Sequence, residues 1–176
     1  SSSRIEHLLN RLVAAMPVEE MYFEVGVLEG RTLAAAAFHN EQKTCWGCDT
    51  QEKYALGPAS FPPNVRYIPQ SWEQVCLVGF PKPLGILFYD GNHEAVAVYE
   101  CLRALDPYLA DEAVVVLDDW DRASTRQGAF AAAEVDGHYR LLREMPEYGD
   151  GLTCAPHHFG YYFGVAVWGY RRFTPL

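Results

Sequence analysis

The chain is short of positive charge: 14 Lys and Arg stand against 23 Asp and Glu in 176 residues, a formal charge of -9. A surplus of that sign repels a phosphate backbone and leaves no basic stripe, so nucleic acid is excluded as a partner. Long apolar runs are lacking too. The longest uncharged stretch near the end, Phe159 to Tyr170, falls short of the roughly 20 residues that a spanning helix needs, and no membrane segment is expected. Cysteine is sparse and unpaired in number, five residues at irregular spacing, which argues against a disulfide framework and for a reducing compartment. The chain opens Ser1-Ser2-Ser3-Arg4 with no signal-peptide apolar stretch, and the expectation is a cytoplasmic protein. Internal repeats and long linkers are absent, so residues 1–176 read as one domain, an N-terminal helix over 1–18 and a core over 19–176.

What is present is an ordinary globular composition, 49% hydrophobic and 14% aromatic, enough to bury a core without staples. Ile5, Leu8, Leu9, Leu12 and Val13 recur at helical spacing until Pro17. Short apolar runs follow at Met21–Val25, Thr44–Cys48, Val65–Ile68, Leu84–Tyr89 and Ala113–Leu117, each closing on glycine, proline or aspartate, as buried strands do. Helical patterns intervene over 32–38, 72–78, 94–105 and about 125–135. Two more strands, near Tyr139–Arg143 and Tyr161–Tyr170, are joined without a helix. This alternation predicts an α/β fold, a doubly wound, mostly parallel seven-stranded sheet with an antiparallel edge strand. Ligands of such sheets bind outside the carboxyl ends of the strands.

Glu24, Asp49, Asp90, Asp118 and Asp119 all fall at or just past those carboxyl ends. Crowded carboxylates repel unless they hold hydroxyls or a cation, although an aspartate there also caps the next helix. Between the first strand and helix, Glu24-Val25-Gly26-Val27-Leu28-Glu29-Gly30-Arg31-Thr32 has the form acid-x-Gly-x-x-x-Gly-x-Thr. Its glycines let backbone approach a ligand, but the spacing is not that of a dinucleotide fingerprint, and no Gly-Lys-Ser/Thr phosphate loop exists. NAD and ATP are disfavoured, and with them an oxidoreductase.

From about residue 20 to 170 the chain resembles the class I S-adenosylmethionine-dependent methyltransferases, whose Rossmann-like sheet this is. The resemblance implies that Glu24, Gly26 and Gly30 hold the methionine portion of S-adenosylmethionine, that Asp49 takes the ribose hydroxyls, and that Gln70-Ser71-Trp72 flank the adenine. A carboxylate can accept two hydroxyls, and an indole can stack on a base or simply pack. Leu87-Phe88-Tyr89-Asp90-Gly91-Asn92-His93 and Val115-Val116-Leu117-Asp118-Asp119-Trp120 are similar to the metal-dependent O-methyltransferases of small molecules, the macrocin-type sugar enzymes and more distantly the catechol enzymes. That likeness implies a divalent cation such as Mg²⁺ on Asp90, Asp118 and Asp119, with Asp90 and His93 catalytic and His93 the general base; a His that orders its loop is the alternative. The implied reaction is methyl transfer to a hydroxyl of a small molecule. A non-catalytic module that binds the same nucleoside is the other reading, and a homodimer is compatible with either. Where the family commonly has a glycine pair before the fifth strand, Asp111-Glu112 stand, so that turn is expected to be built differently.

Three further patterns carry less. Cys45-Trp46-Gly47-Cys48 has the CxxC form but lies in a strand, where alternate side chains face opposite ways. Cys154, His157 and His158 could join it in a zinc site, with no diagnostic spacing. Phe61-Pro62-Pro63-Asn64 is a reversed, misplaced version of the element of amino-group methyltransferases, which removes support for N-methylation. Glu147 to Phe159 reads as a surface connection or a loop over the substrate.

Overall fold

A computed structural model describes residues 3–51, 61–145 and 164–172. The elements run α1 (Ser3–Ala15), β1 (Met21–Val25), α2 (Arg31–Ala37), β2 (Thr44–Cys48), β3 (Val65–Ile68), α3 (Trp72–Val78), β4 (Leu84–Tyr89), α4 (Ala95–Leu105), a 3₁₀ turn (Asp106–Tyr108), β5 (Leu109–Leu117), α5 (Ala123–Asp136), β6 (Tyr139–Met145) and β7 (Val165–Arg171). The seven strands form one sheet in the order β3-β2-β1-β4-β5-β7-β6. β1 to β5 are mutually parallel, and β7 runs antiparallel to both of its neighbours, which places the antiparallel pairing at one edge as the sequence predicts. The chain winds outward from β1 through β2 to β3, then returns to β4 beside β1. The switch point therefore lies between β1 and β4.

Strand periodicity sorts the core into two layers. Met21, Phe23 and Val25 face one side with Val98, Cys101 and Leu102 of α4 and Ala129 and Ala132 of α5. Tyr22 faces the other, with Ile5, Leu9 and Val13 of α1 and Leu33, Ala36 and Ala37 of α2. Successive strand side chains point to opposite faces, so a strand buried on both is mostly apolar; β1 and β4 are buried at every position, and Glu24 is the one charged residue in either. Fully burying one such Leu contributes roughly 2 kcal/mol. Cys45 and Cys48 fall in different layers, so the CxxC pattern brings no two thiols together for chemistry.

β5 begins at Leu109, earlier than the apolar run suggests. A step of two residues on β4, Leu84 to Ile86, is matched by five on β5, Leu109 to Val114. Asp111 and Glu112 sit exposed in that bulge, inside the strand rather than in a loop before it. β7 supplies the reason. Glu112 pairs with Arg171, and the Asp111 carbonyl accepts the Arg172 N–H at 2.9 Å. Asn64, which ends the Phe-Pro-Pro-Asn element, is a structural fastener whose amide donates to the Asn40 and Lys43 carbonyls at 2.9 and 3.1 Å. The expected loop over 147–159, Cys154, His157, His158, most of the 54–63 connection and the start of the last strand at Tyr161 lie outside the described residues. No helix among the described residues is long and apolar enough to cross a membrane.

Candidate active site at the carboxyl rim

The parallel ladder itself registers the acids on one rim. The backbone N–H of each residue just past a strand donates to the last carbonyl of its neighbour: Asp49 to Ile68 at 3.2 Å, Asp90 to Val25 at 2.8 Å and Asp118 to Tyr89 at 3.0 Å. Gly26 closes the series by donating to Cys48 at 2.9 Å. Strand order thus fixes the sequence of carboxylates around the β1/β4 switch point before any side chain is placed.

The loop from Gly26 to Gly30 turns through positive φ at Gly26 (90°), Leu28 (47°) and Gly30 (81°). A Cβ on Gly26 would lie 2.1 Å from the Asp90 carbonyl oxygen, so this glycine is demanded by the contact between the β1 and β4 ends. Asp49 ties the loop down from the side: Oδ2 accepts the Leu28 N–H and Oδ1 the Gln51 N–H, both at 2.8 Å. Each oxygen keeps a second lone pair, and the carboxylate is partly exposed, so accepting ribose hydroxyls fits its geometry.

Glu24 lies under the loop, fully buried. Tyr22 donates its hydroxyl to Oε2 and Thr32 donates its own to Oε1, both at 2.6 Å. Burial pushes the carboxyl up to about 7; the two hydroxyl donors oppose that, and Asp49 and Asp118 add to it. Glu24 therefore acts on the loop from beneath, through Thr32 at the start of α2. Thr32 belongs to the motif. Tyr22 does not, although its place two residues before Glu24 puts both on one strand face.

Asp90, Asp118 and Asp119 share the next sector. Burial raises Asp90 above the ordinary carboxylate range, with Asp118, Glu24 and Asp119 adding to the effect, and burial raises Asp118 to about 6. Asp119 is buried with φ of 51°. Its Oδ2 receives Arg122 Nε at 2.8 Å and His93 Nε2 at 3.1 Å; the same His93 nitrogen is 3.6 Å from Asp90 Oδ1. Burial lowers the His93 pKa; Asp119 opposes that shift and Arg122 adds to it. The contact of the imidazole with Asp119 places a proton on Nε2. Nδ1 is buried and without a hydrogen-bond partner among the described residues.

The arrangement does not fit the three-carboxylate cation site that the motifs imply. Asp119 Oδ2 already accepts from two donors, one of them a guanidinium. Among the described residues no group of three or more His, Cys, Asp and Glu side chains is placed to hold a metal. Arg122 escaped the motif reading, and its only signal was the three-residue spacing from Asp119.

Just past β3, Gln70 donates its N–H to Ile68 at 2.8 Å, and Ser71 caps α3, its N–H donating to Gln74 Oε1 at 3.1 Å. Trp72 is partly buried against the core. All three lie just past the end of β3, and the contacts they make here are structural.

Residues 23–120, more than half of the chain, match the family model described as a methyltransferase domain. The chain belongs to this methyltransferase domain family. No curated protein is a significant match to it in sequence. Solved methyltransferase-fold structures superpose over almost its whole length. The O-methyltransferase TomG from Streptomyces achromogenes, in complex with S-adenosylmethionine, gives a TM-score of 0.71 at 16% identity over 98% of this chain and 82% of that one. Cofactor-bound Rv0187 from MTB gives 0.70 at 17% identity, covering 97% and 81%. CalS11, a TDP-rhamnose 3'-O-methyltransferase of calicheamicin biosynthesis, gives 0.58 at 17% identity, covering 92% and 75%. At such identities the likeness is one of fold, the class I methyltransferase fold. Family and fold together make S-adenosylmethionine the methyl donor of this domain, and the Gly26–Gly30 loop with Asp49 beside it suits that ligand.

Proposed function

We propose that this methyltransferase moves the methyl group of S-adenosylmethionine to a hydroxyl oxygen of a small molecule. The observation that carries the reading is the ring of carboxylates, Asp49, Asp90, Asp118 and Asp119, set by the strand ladder around the β1/β4 crevice with His93 among them. Bound there, S-adenosylmethionine supplies an electrophilic methyl on a sulfonium. Asp49 takes the ribose hydroxyls, the Gly26–Gly30 backbone receives the methionyl end with Glu24 bracing it, and Gln70, Ser71 and Trp72 border the base. The acceptor oxygen forms its bond to carbon as the sulfur–carbon bond breaks, and the hydroxyl proton passes to a carboxylate oxygen of Asp90, which His93 Nε2 approaches at 3.6 Å. Asp90 is the more open of the two, its side chain 30% exposed against 14% for His93. With no proton relay through solvent required, catalysis reduces to alignment and charge control. O-methyltransferases among the structural relatives support the choice of oxygen.

The test is incubation with methyl-labelled donor and a panel of phenols and sugars. Label recovered as a methyl ether, and reduced at least about a hundredfold in Asp90→Asn, is the expected result. Tight binding of S-adenosylhomocysteine with no label on any hydroxyl would refute the reading.

A further inference from the structure

Four carboxylates around one end of a sheet repel one another unless they take up protons or are answered by positive charge. A divalent cation is one answer, and it needs carboxylate oxygens with open lone pairs converging on one point. A basic side chain is the other. Asp119 decides between them in this chain. Its Oδ2 accepts Arg122 Nε at 2.8 Å and His93 Nε2 at 3.1 Å. Main chain reinforces the pair, for the Arg122 N–H donates to the Asp119 carbonyl at 3.1 Å, closing one turn between β5 and α5. Burial and the left-handed backbone at Asp119 hold the carboxylate in that turn.

We infer that Arg122 occupies the charge-balancing place a divalent cation would take, and that the enzyme is a metal-independent methyltransferase of acidic hydroxyls, phenols above all. The inference rests on the function proposed above and names its acceptor class. A guanidinium stays charged and compensates Asp119, but unlike a metal it offers no coordination site that would acidify a bound hydroxyl. An alcohol, like water with its pKa near about 16, then lies far from an oxyanion at neutral pH. A phenol, near about 10, gives up its proton far more readily to a carboxylate base such as Asp90. Arg122 is a positioning residue, acting through Asp119 and His93 rather than on the acceptor.

The experiment titrates the full chain with Mn²⁺, followed by electron paramagnetic resonance, with and without S-adenosylhomocysteine, beside assays on matched phenol and sugar acceptors. Expected are no Mn²⁺ site tighter than millimolar, phenol methylation unchanged by chelator, and no sugar methylation. Arg122→Met, checked for folding by its melting curve, gains Mn²⁺ affinity about tenfold or more and loses phenol turnover by about ten- to a hundredfold. Arg122→Lys recovers most of both. One Mn²⁺ held at micromolar concentration by the unaltered protein and lost in Asp118→Asn overturns the inference, without need of the Arg122 variants. So does an Arg122→Met protein that folds, gains no Mn²⁺ and turns over normally. Those results with S-adenosylhomocysteine still bound sink this inference alone. Absence of any binding of that nucleoside sinks the methyl-transfer reading, and the inference falls with it.

Discussion

The two rims of the sheet hold similar chemistry to opposite ends. At the amino rim, where α4 leads into β5 and β7 finishes, Arg172 spreads its guanidinium over the Asp106 and Leu109 carbonyls at 3.0 and 3.1 Å and over the Tyr170 hydroxyl at 3.2 Å. Tyr170 donates its hydroxyl to Asp106 Oδ2 at 3.3 Å, and Tyr139 donates its own to the Leu102 carbonyl at 3.2 Å. These bonds join the 3₁₀ turn, β5 and the end of β7, and the result is a clasp. At the carboxyl rim Glu24, Asp90 and Asp118 are all pushed toward protonation by burial and by neighbouring carboxylates. Charge is matched at one rim and left in surplus at the other. Surplus buried charge costs stability, so its concentration on one side marks where a ligand must complete the balance.

The contrast is broken most severely at Gly26. Gly26→Ala puts a methyl group 2.1 Å from the Asp90 carbonyl on a backbone with φ of 90°, and the β1 and β4 ends must part. The expected loss is about 3 kcal/mol or more by denaturant unfolding, with S-adenosylhomocysteine affinity falling at least about a hundredfold. A calorimetric affinity near that of the unaltered protein would mean that the loop does not carry the ligand.

Glu24 comes next. Its folded pKa, about 7, stands above the ordinary 4.5, so between those values the folded chain keeps a proton that the unfolded chain releases. Stability is then greatest below about pH 4.5 with respect to this group, falls as pH rises, and levels off above about 7, a span on the order of 3 kcal/mol. Glu24→Gln should flatten that part of the curve, measured as unfolding midpoint against pH. An unchanged slope would remove Glu24 from the surplus. At the opposite rim Arg172→Met should cost about 1 to 2 kcal/mol, discounted because the side chain is a third exposed, while leaving methyl-transfer kinetics untouched. A loss of turnover in that variant at a temperature where it is folded would show that the rims are coupled.

Where local chemistry is decisive, it could be read from the letters. β1 to β4 start and stop where the apolar runs do; β4 is apolar throughout, and β1 admits one acid, Glu24, whose carboxylate two hydroxyl donors satisfy. The acids were legible as a rim for a similar reason, since parallel strands deliver the residues after them to one side. β5 was read short, as Asp111 and Glu112 look like a loop until β7 pairs with them. The fate of Asp119 was less accessible still. Its motif is compatible with a metal ligand or an ion pair, and the choice depends on a left-handed turn that brings Arg122 back onto it. Tyr22 could have been found by strand alternation alone. Nothing in the spacing told that Glu24 would be sealed from solvent.

The smallest effect expected lies beside the clasp. Arg171 and Glu112 form an ion pair at 2.7 Å, shorter than any charged contact around Asp119, yet the two side chains are 67% and 72% exposed. Water and salt screen such a pair, and holding two long side chains in one geometry offsets much of what remains. A double-mutant cycle with Glu112→Ala and Arg171→Ala should return only a few tenths of a kcal/mol, vanishing in high salt. Since Glu112 and Arg171 are also register partners on β5 and β7, the single variants test whether the bulge depends on charge or on the ladder. A coupling above about 1 kcal/mol would assign the bulge to charge, and the amino rim would then rest on the same currency as the carboxyl rim instead of on matched hydrogen bonds.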